Sequence, residues 1–283
     1  MRTYTIAFSP CPNDTFIFDA MVHRKIDTGD LGFEYILEDV ETLNHWAMDG
    51  RYDISKISYS VLSQLLDSYR LLRSGSALGR GVGPLLLTRE PLPAGTDVAA
   101  FLQQARIAIP GEWTTANFLL NSAFPAAQHK EVVLFSDIEQ ALLDGKYDAG
   151  LVIHESRFTY AERGLHCLMD MGQWWEAGTG MPIPLGGIVL KKEIPAEDAR
   201  QIEALIRKSV QYAWEQYPAL GGFVTRNAQE MSEEVMRKHI ELYVNAYSLD
   251  LGPEGCAVVK DMIDKAKQAG LCKADAVLEW AAD

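Results

Sequence analysis

The stretch Gly150-Leu151-Val152-Ile153-His154-Glu155-Ser156-Arg157-Phe158-Thr159-Tyr160 passes from apolar to ionisable residues with nothing in between. The run 149–153 predicts the end of a buried strand, and His154, Glu155, Ser156 and Arg157 arrive together where it stops. Open α/β sheets bind ligands beyond the carboxyl ends of their strands, so this junction is the first candidate site. Of the six histidines, His154 has the neighbours best arranged for chemistry. A histidine that only caps a strand–helix junction would leave the same pattern, and the residues alone keep both readings open.

Working outward, residues 147–153 form the predicted strand that delivers His154. It follows a helix over 137–144 ended by Gly145, and an earlier strand over 132–135. Before these, 105–109 reads as a strand, Pro110-Gly111-Glu112-Trp113-Thr114-Thr115 as a turn and 116–123 as an apolar helix. Thr114, Thr115 and Ala116 therefore open a helix straight after a strand. Hydroxyls and unpaired amides at such a place suit an anion, with a plain threonine cap as the alternative.

The first third alternates in the same way. Strands are predicted over 4–8, 32–37 and 52–58, with helices over 16–22, 41–48 and up to residue 66, which argues for a parallel sheet covered on both faces. The first strand breaks at Ser9-Pro10-Cys11-Pro12, and Asn13, Asp14 and Thr15 then offer caps, making a rigid, donor-rich mouth. Lys56, Ile57 and Ser58 end the third strand. A lysine there is usually solvated; between Ile54 and Ile57 it could instead point into a cleft and anchor a carboxylate.

From residue 195 onward only helical patterns occur, and Ile202, Leu205, Ile206, Ser209, Val210 and Ala213 share one helix face. Two extended glycine- and proline-bearing passages, near 85–95 and 178–190, bracket the middle block. That predicts a two-lobed α/β protein with a ligand cleft between the lobes. One lobe would comprise 1–88 with 189–283, including the helical C-terminal region, and the other 89–188.

Composition narrows the function. Lys+Arg of 26 against Asp+Glu of 39 leaves a net charge of −13, which disfavours nucleic acid and anionic membrane surfaces. A small anion remains possible at a local positive site. The four cysteines, Cys11, Cys167, Cys256 and Cys272, form no Cys-x-x-Cys and no zinc spacing, so neither metal nor disulfide is expected. No leader-like apolar region opens the chain and no apolar run approaches the roughly 18 residues of a membrane span, which predicts a cytoplasmic protein.

Other motifs fail on inspection. Phe158 stands where His-Glu-x-x-His needs its second histidine, and no Gly-x-Ser-x-Gly occurs. The glycines of 74–83 match neither a dinucleotide fingerprint nor a phosphate loop, and suit a bend or a close backbone approach. Cys11 lies at a strand end but has no evident base beside it. Trp174 and Trp175 suit packing better than a ligand face.

Several stretches in order, Ser9-Pro-Cys-Pro-Asn-Asp-Thr-Phe-Ile-Phe18, Leu37-Glu-Asp-Val-Glu-Thr-Leu-Asn44, Gly79-Arg-Gly-Val-Gly-Pro84, Ile153-His-Glu-Ser-Arg-Phe-Thr-Tyr160 and Tyr243-Val-Asn-Ala-Tyr-Ser-Leu-Asp250, resemble the 1,4-dihydroxy-6-naphthoate synthase family of the futalosine route to menaquinone. The resemblance spans nearly the whole chain. It implies the fold of type II periplasmic binding proteins and a lyase that cleaves cyclic dehypoxanthine futalosine to the dihydroxynaphthoate and a three-carbon fragment, with no cofactor. It further implies His154 as general base, with substrate contacts from Lys56-Ile57-Ser58 and Thr114-Thr115-Ala116. Ser9, Asn13, Asp14 and Arg157 join the candidate substrate-binding set, and the implied partner is a small anionic carbocyclic substrate. Two rivals are a chorismate dehydratase-like enzyme of the same fold and a non-catalytic cytoplasmic protein that only binds a small anion.

Overall fold

The computed structural model describes residues 2–228 and 232–282. The chain divides into two compact units, Met1–Gly79 with Pro184–Asp283, and Arg80–Ile183. In the first unit run β1 (Arg2–Phe8), α1 (Pro12–Val22), β2 (Leu31–Leu37), α2 (Val40–Met48), β3 (Ile54–Ser58), α3 (Leu62–Leu65), β4 (Tyr69–Leu71) and β5 (Ala77–Gly79). The second unit holds β6 (Leu85–Thr88), α4 (Val98–Gln104), β7 (Ile107–Ile109), α5 (Thr115–Ala123), β8 (Lys130–Val132), α6 (Ile138–Leu143), β9 (Ala149–Val152), α7 (Ser156–Thr159), β10 (His166–Asp170) and α8 (Met171–Thr179). The chain then re-enters the first unit through β11 (Ile183–Lys191) and ends in α9 (Ala196–Gln216), α10 (Gly222–Asn227), α11 (Glu233–Tyr243), α12 (Ala246–Leu249) and α13 (Gly252–Gln268).

The sheet of the first unit has the order β2-β1-β3-β11-β4, with β5 also paired to β11. The three strands of the opening alternation are parallel to one another. The returning β11 lies antiparallel to both β3 and β4, so the sheet is mixed rather than parallel throughout. In the second unit the order is β10-β6-β9-β7-β8. Here β7 is parallel to β8 and β9, while β6 is antiparallel to β9 and β10.

Pairing also decides where the units divide. β6 bonds to β9 and β10, so residues 85–88 belong with the second unit although the sequence reading put them in the first. β11 meets β3 from Gly186 onward, which brings 184–188 into the first. Both crossing points therefore lie earlier in the chain than 88/89 and 188/189. The segment 132–135, expected as a strand, is extended only to Val132, and Phe135 begins a short 3-10 turn.

Each unit has its own core. In the first, α1 is buried from Pro12 to Met21, as befits a helix packed on every side. It begins with Pro12 in its first turn, where the missing N–H has no intrahelical partner to lose. The stripe of Ile202, Leu205, Ile206 and Val210 on α9 joins Phe8, Phe16, Ile17, Phe18 and Met21 in one cluster. Within that stripe Ser209 accepts the Met21 amide at 3.2 Å. In the second unit Leu85, Leu87, Ala108, Ile138, Leu142, Val152 and Leu165 form a smaller core. No described helix is long and apolar enough to cross a membrane.

Candidate active site

In the first unit, the turn after β1 builds a buried polar cluster. The Ser9 amide and hydroxyl both donate to Asp14 Oδ2, at 3.2 and 2.7 Å. Asn13 Nδ2 donates to Asp14 Oδ1 at 2.9 Å, and Lys56 Nζ stands 2.9 Å from that same oxygen. Lys56 also donates to the Gly75 carbonyl at 3.0 Å. Asp14 is 2 % exposed and Lys56 5 %, so this ion pair is almost wholly desolvated. The sequence reading had Lys56 as a lysine available to a carboxylate; here its charge is already matched by Asp14.

Ser9, Asn13, Asp14 and Lys56 are thus brought into one network. Two further residues were missed, one bonded to Ser58 and one in this network. Asn44 of α2 bridges to the end of β3: its Oδ1 accepts the Ser58 amide at 2.8 Å and its Nδ2 donates to Ser58 Oγ at 3.0 Å. The Ser58 hydroxyl proton is left to donate elsewhere. His239 of α11 lies 2.8 Å, through Nε2, from Asn13 Oδ1. The signal for His239 was a histidine in register with Met236, Ile240 and Tyr243 on the buried face of α11; for Asn44 it was an amide on the buried face of α2. Ile57 differs from its neighbours. Adjacent strand residues face opposite sides of a sheet, so its side chain points away from Lys56 and Ser58 and its backbone pairs with Gly187.

In the second unit, β7 delivers Thr114 as the N-cap of α5. Its hydroxyl donates to the Gly111 carbonyl at 2.9 Å and accepts the Asn117 amide at 3.2 Å, so both of its roles serve the turn. Thr115 and Ala116 follow as the first helical residues and are buried. A helix start carries positive dipole character.

The strand β9 ends and His154 follows with φ +58. That left-handed conformation is uncommon for any residue with a Cβ. The imidazole packs edge-on against Phe135, ring centroids 5.0 Å apart, and Glu155 beside it is buried. Arg157, on α7, makes two bonds within the unit. Its Nη2 donates to Asp170 Oδ2 at 2.7 Å and its Nη1 to the Gly83 carbonyl. Asp170 Oδ1 meanwhile caps α8 by accepting the Gly172 and Gln173 amides at 2.9 and 3.1 Å.

The glycine-rich passage contributes here through close approach. A Cβ on Gly83 would come within 2.3 Å of the Gly172 backbone, a distance no side chain tolerates. Gly83, Gly172, Asp170 and Arg157 therefore form one knot, tied to the helix that follows His154 through Arg157. Trp175 is buried, donates Nε1 to the Pro182 carbonyl at 3.3 Å and packs near Phe118, a packing role. Trp174 lines a groove of about 700 Å³ with Arg157, Tyr160 and Met169.

The family model described as menaquinone biosynthesis matches residues 4–268. A 1,4-dihydroxy-6-naphthoate synthase of Thermus thermophilus is 44% identical over 271 residues, 96% of each chain. One of Streptomyces coelicolor is 42% identical over 277 residues, covering 96% of this chain and 95% of that one. Among solved structures, the Candida albicans CA3427 gene product, described as having the generic periplasmic binding protein fold, superposes with a TM-score of 0.67 at 14% identity, over 96% of this chain and 92% of that one. The fold is that of periplasmic binding proteins, and the chain belongs to the menaquinone-biosynthesis family.

Proposed function

We propose that the chain is a 1,4-dihydroxy-6-naphthoate synthase, a carbon–carbon lyase that cleaves cyclic dehypoxanthine futalosine into 1,4-dihydroxy-6-naphthoate and a three-carbon fragment. The observation that carries this reading is the 44% identity to a synthase of that name over 96% of both chains. The substrate is a small anionic molecule, a fused carbocycle bearing a carboxylate and a sugar-derived ring with hydroxyls.

His154 is the general base in this reading. A neutral imidazole can take a hydroxyl proton near pH 7. Removing that proton starts carbon–carbon cleavage, driven by aromatisation of the product. The unusual backbone of His154 supports the role, because strained backbone concentrates where geometry serves function.

Substrate contacts divide by chemistry. Lys56 is already paired with Asp14, so it contributes a fixed dipolar pair rather than a spare cation. The Ser58 hydroxyl is a donor suited to the carboxylate or to a developing oxyanion, and α5, opening at Thr115 and Ala116, offers an anion the positive end of its dipole. Arg157, held by Asp170 and Gly83, supports the His154 segment instead of touching substrate.

Purified protein incubated with cyclic dehypoxanthine futalosine should release the aromatic product, followed by absorbance and mass, and His154→Ala should abolish release while still binding substrate. Substrate bound by wild type but left unchanged would point to a ligand sensor. Consumption of chorismate in its place would point to a dehydratase of the same fold.

A further inference from the structure

We propose that His239 is a positioning residue of this site: by donating its Nε2 proton to Asn13 it fixes the direction of the Asn13 carboxamide and, through Asp14, the seat of Lys56. The proposal rests on the reading that the Lys56–Ser58 segment serves the substrate.

The direction of each hydrogen bond follows from the chemistry of its partner. Asp14 faces Lys56 Nζ at 2.9 Å and two donors from Ser9, so it is a carboxylate that only accepts. The Asn13 atom 2.9 Å from Asp14 Oδ1 must then be the amide nitrogen. That turns Asn13 Oδ1 toward His239 Nε2 at 2.8 Å, and an oxygen facing a ring nitrogen at that distance requires a proton on the nitrogen. With a bare Nε2, two acceptors would face each other. Asn13 would relieve that by turning its amide over, and would then present oxygen to the Asp14 carboxylate.

The tautomer of a histidine on α11 is therefore coupled to a lysine on β3 through two residues of α1. His239 is 0 % exposed and its ring is held 4.6 Å from that of Tyr243, so water cannot replace it. A buried polar network with one member removed is worse than an apolar core, because the remaining members keep their desolvation cost. No motif of the sequence pointed to this residue; its place in the fold does.

Two measurements test the proposal. In the wild-type protein labelled with ¹⁵N-histidine, His239 should show a protonated Nε2 with a slowly exchanging proton; a bare Nε2 overturns the proposal whatever any variant does. In steady-state assays His239→Leu should raise KM by about tenfold, the cost of one lost buried hydrogen bond, with kcat changed less than KM. His239→Gln, which keeps an N–H donor, should recover most of the loss. A Leu variant with wild-type KM, or a Gln variant no better than Leu, overturns it. Lys56→Met assayed alongside separates the two layers. An unchanged KM there removes the reading of the Lys56–Ser58 segment, whereas a raised KM with His239→Leu unaffected removes only the role of His239.

Discussion

Lys56 Nζ and Asp14 Oδ1 stand 2.9 Å apart, joining β3 to the first turn of α1 with both groups nearly fully buried. A desolvated pair of this kind adds little net stability, yet breaking it strands the survivor. Asp14→Asn should therefore destabilise the protein by about 3–5 kcal/mol in urea unfolding. Asp14→Asn combined with Lys56→Met should recover much of that loss, because no lone charge remains. A double variant as unstable as the single one would show that packing around the carboxylate, not its charge, holds the turn.

Arg157 makes a different kind of tie. Its two Nη atoms reach Gly83 and Asp170 simultaneously, a geometry suited to the planar guanidinium fork and unavailable to a lysine ammonium. Arg157→Lys should lower kcat by roughly tenfold through a misplaced His154, since small displacements of a catalytic group are costly. Substrate affinity should change little. If Arg157 touched substrate directly, the same variant would mainly raise KM, and the split between the two constants decides.

Local signals in the sequence were strong where a residue type answers to its immediate neighbours. The strand before His154, the Thr114 cap and the apolar stripe of α9 all follow from spacing within a few residues, and each has its counterpart in the structure. The helices α4, α7, α8, α10 and α12 went unread. So did the strands β4, β5 and β10, each three to five residues long and held by pairing with β11 or β6, far away in the chain. The antiparallel entry of β11 shows the same limit. Nothing in Ile188-Val189-Leu190 records that its partners are β3 and β4. The site divides along the same line: Lys56 was visible as a lysine ending a strand, but its pairing with Asp14 joins positions far apart in the chain. Asn44 reaches Ser58, and His239 reaches Asn13, through bonds that likewise join separate elements.

Glu203, on α9, shows how burial is felt as pH dependence. Its carboxyl is pushed above the ordinary range chiefly by burial, with Asp250 adding to the shift and the Arg73 amide and the Arg207 and Arg73 charges opposing it. The folded protein therefore keeps this proton to a higher pH than the unfolded chain does. Between about pH 4.3, the ordinary glutamate value, and the raised folded value, the folded state binds more protons, so stability falls as pH rises and then levels. Glu203→Gln has no such proton and keeps an acceptor for the Arg73 amide, which donates to Oε1 at 3.1 Å. The urea midpoint of Glu203→Gln relative to wild type should rise across that window and then stay constant. A difference independent of pH would mean that Glu203 ionises equally well in both states.

His154 allows the backbone and the imidazole to be separated. At φ +58 any residue with a Cβ is strained, by about 1–2 kcal/mol relative to glycine. His154→Ala and His154→Gly both delete the ring and its contact with Phe135, so both should lose turnover, by roughly 10²–10⁴-fold for a general base. They differ only in the Cβ. The glycine variant should therefore be the more stable of the two by about 1 kcal/mol, read as a higher urea midpoint at equal slope. Equal stability would mean that the segment relaxes out of the left-handed region once the ring is gone, and that the imidazole itself holds the turn in place.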